Sequence, residues 1–263
     1  MGVLKSLVEN RALLLELVRR DIRSRFVGAR FGLVWSLLNP AIQLASYTLI
    51  FGYLYAAPVA GDGEVPFIAS LFCGLWPWWG FNEGVMRGLS ALVDQGHLLR
   101  KVPIPPSAVV VAAVTASIFL QLVGFLLFLA IFGAIGLAPP RLSWLGLPVV
   151  VVVGWLLTTG LALVLAPLYL VVRDTLHVVA AVLTIGFFVS PVLYASDWLP
   201  EGVRGVASLN PLTGLLGLYR TVVLGSPWPS GTALGALVVA VAGSLLLARI
   251  LFSRLERLLD EYW

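Results

Sequence analysis

The sequence predicts an all-α polytopic membrane protein: six transmembrane helices, an N-terminal interfacial amphipathic helix, and re-entrant helices between spans five and six. Three observations predict it. The chain has 263 residues, of which 60% are hydrophobic and only 11% charged, where a soluble domain carries about 25% charged residues. Its mean hydropathy is +0.99, and apolar runs of about 20 residues, the length that crosses a bilayer core, recur along it. Lys and Arg also alternate in density between successive loops. Fourteen of the 17 fall in the N-terminal segment Lys5–Arg30, at Arg87, Arg100, Lys101 and Arg173, and in the tail from Arg249 to Arg257; only Arg141, Arg204 and Arg220 lie on the other side. This positive-inside bias places both termini in the cytoplasm.

Residues 1–32 read as a cytoplasmic interfacial amphipathic helix. Leu14, Val18, Ile22 and Phe26 recur every four residues, Arg19, Arg20 and Arg23 lie toward the other side, and Glu16 is spaced to pair with Arg20. Such a helix meets anionic headgroups of membrane lipids; it serves either as a plain anchor or also as a dock for a partner. Its apolar run Ala12–Leu15 is too short for a cleavable signal peptide.

The membrane domain spans 33–252. Its expected spans run Leu33–Tyr55, Pro66–Leu92, Ala108–Leu137, Trp144–Val172, Leu176–Ala195 and Thr232–Phe252. A cytoplasmic loop, 93–107, separates the second and third, Arg173-Asp174 makes a tight inner turn, and 253–263 forms a cytoplasmic tail. The outer stretch 196–231 is too apolar for a solvated loop and is broken by Asn210-Pro211. Two half-helices that dip into the membrane and return fit it, each too short to span at about 1.5 Å per residue.

Several residues are candidates for function. Trp35, Asn39, Gln43 and Tyr47 stand four apart on the first span. Unpaired amides in hydrocarbon cost several kcal/mol, so this stripe either bonds another helix or walls a pathway for a polar substrate. Trp76, Trp78 and Trp79 are either an interfacial belt or stacking surfaces for sugar rings. Glu83 and Arg87, at i,i+4 near the inner end of the second span, form either a pair at the headgroups or a gate. In the loop Leu98-Leu99-Arg100-Lys101-Val102-Pro103-Ile104, two cations sit among apolar residues before the prolines stop any helix; a short helix with exposed apolar side chains makes a plug for a groove on another protein.

Other classes are excluded. The basic groups follow topology rather than one face, so no nucleic-acid partner is expected. The single Cys73 rules out an internal disulfide and a multi-cysteine metal site. There is no phosphate loop, zinc spacing or nucleophile elbow, so the chain is expected to bind no cofactor and no metal and to have no catalytic residue.

The segments Leu17-Val18-Arg19-Arg20-Asp21-Ile22-Arg23-Ser24-Arg25-Phe26, Gly32–Pro40, Leu98–Pro105, Arg173-Asp174, Ser190-Pro191-Val192-Leu193-Tyr194, Asn210-Pro211-Leu212 and Tyr219-Arg220 together resemble the permease subunits of ABC-2 type exporters for polysaccharides, the group moving O-antigen, capsule or teichoic acid chains. The resemblance covers nearly the whole chain in order. It implies a homodimer in the bacterial cytoplasmic (inner) membrane and a separate ABC ATP-binding subunit that carries ATP and Mg. It implies that the N-terminal helix, with Arg19, Arg20 and Arg23, and the loop Leu98–Pro105 touch that subunit. It also implies a pathway at the dimer interface, lined largely by the first and fifth spans, for a lipid-linked glycan; Tyr194 is counted with that pathway. Two alternatives share parts of this pattern: an ABC-2 exporter of a small drug or lipid, and an ion-coupled secondary transporter, which would want ionisable groups at the membrane midplane. A membrane glycosyltransferase would want an acid/base constellation that the sequence does not offer.

Overall fold

The computed structural model describes residues 11–27, 31–54, 67–99, 101, 104–194 and 199–262; among them helices are the only regular secondary structure. Helix α1 is Arg11–Phe26. Helix α2, Gly32–Tyr47, runs on as a π-helical stretch, Thr48–Leu54. Then follow α3, Phe67–Asp94, the single turn α4, Gly96–Leu99, and α5, Pro106–Ala134. A 3-10 turn, Leu142–Gly146, leads into α6, Leu147–Val171. The chain ends with α7, Thr175–Val189, α8, Glu201–Ala207, α9, Pro211–Leu224, and α10, Gly231–Tyr262.

Among the described residues, three stretches, Pro106–Ala134, Leu142–Val171 and Gly231–Phe252, are long and apolar enough to cross a membrane, and Thr175–Val189 and Pro211–Leu224 are shorter apolar helices. The fifth expected span is therefore a 15-residue helix, about 22 Å long at 1.5 Å per residue. It stops at Ser190-Pro191, where the chain turns.

Helix α3 is the hub, packed against α5, α6, α7 and α9. Leu71, Phe72, Cys73 and Leu75 on it are at most 1% exposed, as expected where the first half of the helix, Phe67–Phe81, is apolar on every side. Close approach is made possible by Gly80, Gly84 and Gly88, one turn apart. A Cβ at Gly84 would come within 2.7 Å of Thr158 Cγ2 on α6, and one at Gly88 within 2.5 Å of Ala162 Cβ. Small residues at this spacing let helix backbones pack tightly where lipid supplies no hydrophobic drive.

One core cluster gathers Phe72, Trp76, Phe125, Phe132 and the buried face of α9; a second gathers Leu17 of α1, Ala91 and Leu92 of α3, Ile104, and Val109–Val114 of α5. Helix α9 is capped at both ends. Asn210 Oδ1 accepts the Leu212 N–H at 3.0 Å while its Nδ2 donates to Ser190 Oγ at 2.8 Å. Gly225, at φ +75°, closes the other end in the left-handed region that glycine adopts at little cost.

Candidate functional site

A cavity of about 430 Å³ lies between α1, α2, α3 and α5. Helix α2 lines it with Trp35, Asn39, Pro40 and Gln43, α3 with Trp76, Trp79, Asn82 and Glu83, α5 with Leu120, Gln121 and Gly124, and α1 with Arg25 and Phe26. Four amide side chains and three indoles thus face one space. Asn39 and Gln43 are exposed and Trp79 is half-buried. Trp76 is only 2% exposed; its indole N–H donates to the Gln121 carbonyl at 2.9 Å, fixing α3 to α5 at the cavity wall. Gly124 makes room for it, since a Cβ there would meet Trp76 Cζ2 at 2.7 Å. Amides offer donors and acceptors and indoles offer apolar faces, a combination suited to a ligand with hydroxyls on its edges and C–H groups on its faces.

Arg25, Glu83 and Gln121 on the cavity wall belong to a charged lattice. Asp21 Oδ2 accepts from Arg25 Nε at 3.0 Å and Nη2 at 2.9 Å, and Asp21 Oδ1 accepts from Arg87 Nη2 at 2.8 Å. Arg25 also donates to Glu83 Oε1 and, at 2.7 Å, to Ser117 Oγ. Glu83 Oε2 accepts from Gln121 Nε2 at 2.8 Å. Two acids and two bases balance, which is what allows Asp21 to be 6% exposed despite the cost of burying charge.

The lattice corrects the expected Glu83–Arg87 pair. Both residues find partners on α1 rather than each other. A local i,i+4 pair is worth only about 0.3–0.5 kcal/mol, whereas leaving Asp21 or Arg25 buried without its partner costs about 3–5 kcal/mol. Glu16 likewise lies 3.9 Å from Arg19, and Arg20 instead donates to Gln95 Oε1 at 3.3 Å, tying α1 to the turn before α4. The buried face of α1 runs through Leu14, Leu17, Val18, Asp21 and Arg25, with Ile22 and Phe26 flanking it half-buried.

Of the other expected residues, Tyr47 lies outside the cavity, its ring 6.2 Å from Phe51 and 6.1 Å from Phe187. Trp78 is 4% exposed and packs against Phe81 and Phe187, a core residue rather than a stacking surface. Tyr194 donates to the carbonyls of Phe188 and Val189 at 3.2 and 3.1 Å, closing the turn after α7. Lys101, Arg19 and Arg23 are exposed. Leu98 and Leu99 are only half-buried, but Ile104 is 8% exposed and belongs to the second core cluster, with Leu17 and Val109–Val114, so it is not part of an exposed plug. Arg100, Val102 and Pro103 lie outside the described residues.

Sequence reasoning missed Asp21, Arg25, Asn82, Ser117 and Gln121. Asp21 and Arg25 had a legible signal: they continue the stripe Leu14, Leu17, Val18 at helical spacing, and a charged pair on an apolar stripe marks a buried ion pair.

Comparison with known proteins gives a consistent answer. The sequence profile described as ABC-2 type transporter matches residues 12–224. The chain is 30% identical to an O-antigen export system permease protein, RfbA, of Myxococcus xanthus, over 98% of both chains. It is 25% identical to an O-antigen export system permease protein RfbA of Klebsiella pneumoniae, over 81% of this chain and 80% of the relative. It is 24% identical to the polysialic acid transport protein KpsM of Escherichia coli, over 90% of this chain and 91% of the relative.

Proposed function

Because the chain belongs to the ABC-2 type transporter family, we propose that it is the permease subunit of an ATP-driven exporter that moves a lipid-linked polysaccharide across the bacterial cytoplasmic membrane. The observation that carries this reading is the cavity in which Asn39, Gln43, Asn82 and Gln121 face the same space as Trp35 and Trp79. Relatives named for O-antigen and polysialic acid transport support the class of cargo.

In this reading ATP and Mg are held by a separate ATP-binding subunit, and both termini of the permease are cytoplasmic. The partner engages α1, through Arg19, Arg20 and Arg23, and the loop 93–107, through Leu98, Leu99, Arg100 and Lys101. Two copies assemble so that α2 and α7 line the pathway between them. The outer faces of those helices support this. Val34, Trp35, Leu38 and Ile42 on α2, and Val178, Val182, Ile185 and Phe188 on α7, are all at least 40% exposed, and only Leu183 of α7 is buried. Six spans cross the bilayer, and α8 and α9, within 196–231, re-enter it from outside. The buried α9 and its two caps suit a half-helix whose end groups have no water to bond.

Deleting the gene tests the cargo. Lipid-linked polymer is expected to accumulate on the cytoplasmic side, detected by extracting it from inverted and right-side-out vesicles. Polymer reaching the outer face at the normal rate would refute the reading.

A further inference from the structure

The charged lattice ties α1 to the cavity wall, and Glu83 stands at the joint. Glu83 lines the cavity and its side chain is 36% exposed, yet one carboxylate oxygen is held by Arg25 of α1 and the other by Gln121. Arg25 lines the same cavity. On its outer side α1 shows Arg19 and Arg23 to solvent.

The lattice also fixes how α1 can sit. Asp21 meets Arg87 and Arg25 meets Glu83, so α1 runs antiparallel to α3 and one turn of each helix matches one turn of the other. Sliding α1 by a turn in one direction sets Arg25 against Arg87. Sliding it the other way sets Asp21 against Glu83. Both shifts bring like charges together where burial makes that costly. Helix α1 therefore has one docked register, and it leaves that register by detaching rather than by creeping; packed interfaces of this kind switch between discrete arrangements.

We propose that Glu83 is a sensing residue shared between the cavity and α1, so that filling the cavity with a hydroxyl-rich ligand and docking α1 work against each other. A sugar hydroxyl that donates to Glu83 competes with Arg25 for the same oxygen and loosens α1. By linkage, a pull on α1 from the cytoplasmic side frees Glu83 for the ligand to the same extent. The class of ligand rests on the polysaccharide reading above; the register of α1 rests on the ion pairs alone.

The test uses the full complex with its ATP-binding subunit in lipid nanodiscs, with spin labels at the exposed positions Leu15 on α1 and Val171 at the inner end of α6. The native lattice is expected to give one narrow distance. Glu83→Gln is expected to broaden it about twofold, as a two-state docking equilibrium does when one state loses a tie, and Arg25→Gln, which also gives up Asp21 and Ser117, at least as much. The double variant should match Arg25→Gln alone, because that change already removes the Arg25–Glu83 contact together with those to Asp21 and Ser117. Lipid-linked polymer purified from cells lacking this chain should broaden the native distribution in the same way and leave Glu83→Gln unchanged. A native distribution in both single variants overturns the register lock. Bound polymer that shifts native and Glu83→Gln complexes alike overturns the sensing role. If the polymer does not bind at all, read by co-sedimentation with the nanodiscs, the polysaccharide reading fails, and the single and double variants judge the lock by themselves.

Discussion

Trp76 and Trp79, one turn apart on α3, meet different surroundings. Trp76 is sealed between Phe72, at 5.3 Å, and Phe128, at 4.7 Å, with its N–H bonded. Trp79 is half-buried and turned to the cavity. Trp76→Ala is expected to lower stability by about 3–5 kcal/mol, the range for deleting a buried aromatic ring, seen as a depressed unfolding temperature in detergent. Trp79→Ala is expected to leave that temperature within a few degrees and to slow export of polymer. Equal stability losses would show that Trp79 is only core. The stripe Trp35, Asn39, Gln43 was legible in the sequence because helix geometry alone puts those residues on one face. Tyr47 was not part of it, since each step of four residues advances about 40° and three steps carry it about 120° round the helix. The partners of Glu83 and Arg87 could not be read locally. They come from α1, some sixty residues earlier, and a tertiary ion pair overrides a weak helical one.

Whole elements, by contrast, were readable where hydropathy dominates. The segments expected as the first to fourth and sixth spans are helical, as α2 with its π-helical extension, α3, α5, α6 and α10, to within a few residues at most ends; of these, Pro106–Ala134, Leu142–Val171 and Gly231–Phe252 are long and apolar enough to cross a membrane, and Asn210-Pro211 does open a new helix, α9. The tight packing of α3 was missed because glycine carries no hydropathy signal, yet Gly84 and Gly88 decide how near α6 can come. Gly84→Ala should cost about 1–3 kcal/mol by overpacking against Thr158. Thr158→Ser, which deletes the methyl group in the way, should restore most of the loss in the double variant. Unfolding midpoints of the four proteins in this cycle measure the coupling; simple additivity would show that the two residues do not meet. Helix α7 was expected to be longer. Its fifteen residues end where Ser190-Pro191 turn the backbone and the Ser190 hydroxyl takes up the Asn210 side chain.

At the scale of the molecule, α7 buries only Leu183 of its fifteen residues against its own chain. Val178, Val182, Ile185 and Val189 form an exposed apolar ridge at i, i+4, i+7 and i+11, a spacing that keeps one helical face. If a second copy covers this ridge, Val182→Arg with Ile185→Arg should about halve the particle mass measured by light scattering, because charge in an apolar helix contact is costly. An unchanged mass would place the dimer contact elsewhere. The molecule also has a single sulfhydryl, Cys73, and it is wholly enclosed. Water-borne maleimides therefore find nothing to modify in the native chain. Any thiol engineered onto its outside becomes a solitary attachment point for dyes or probes, with no background substitution needed.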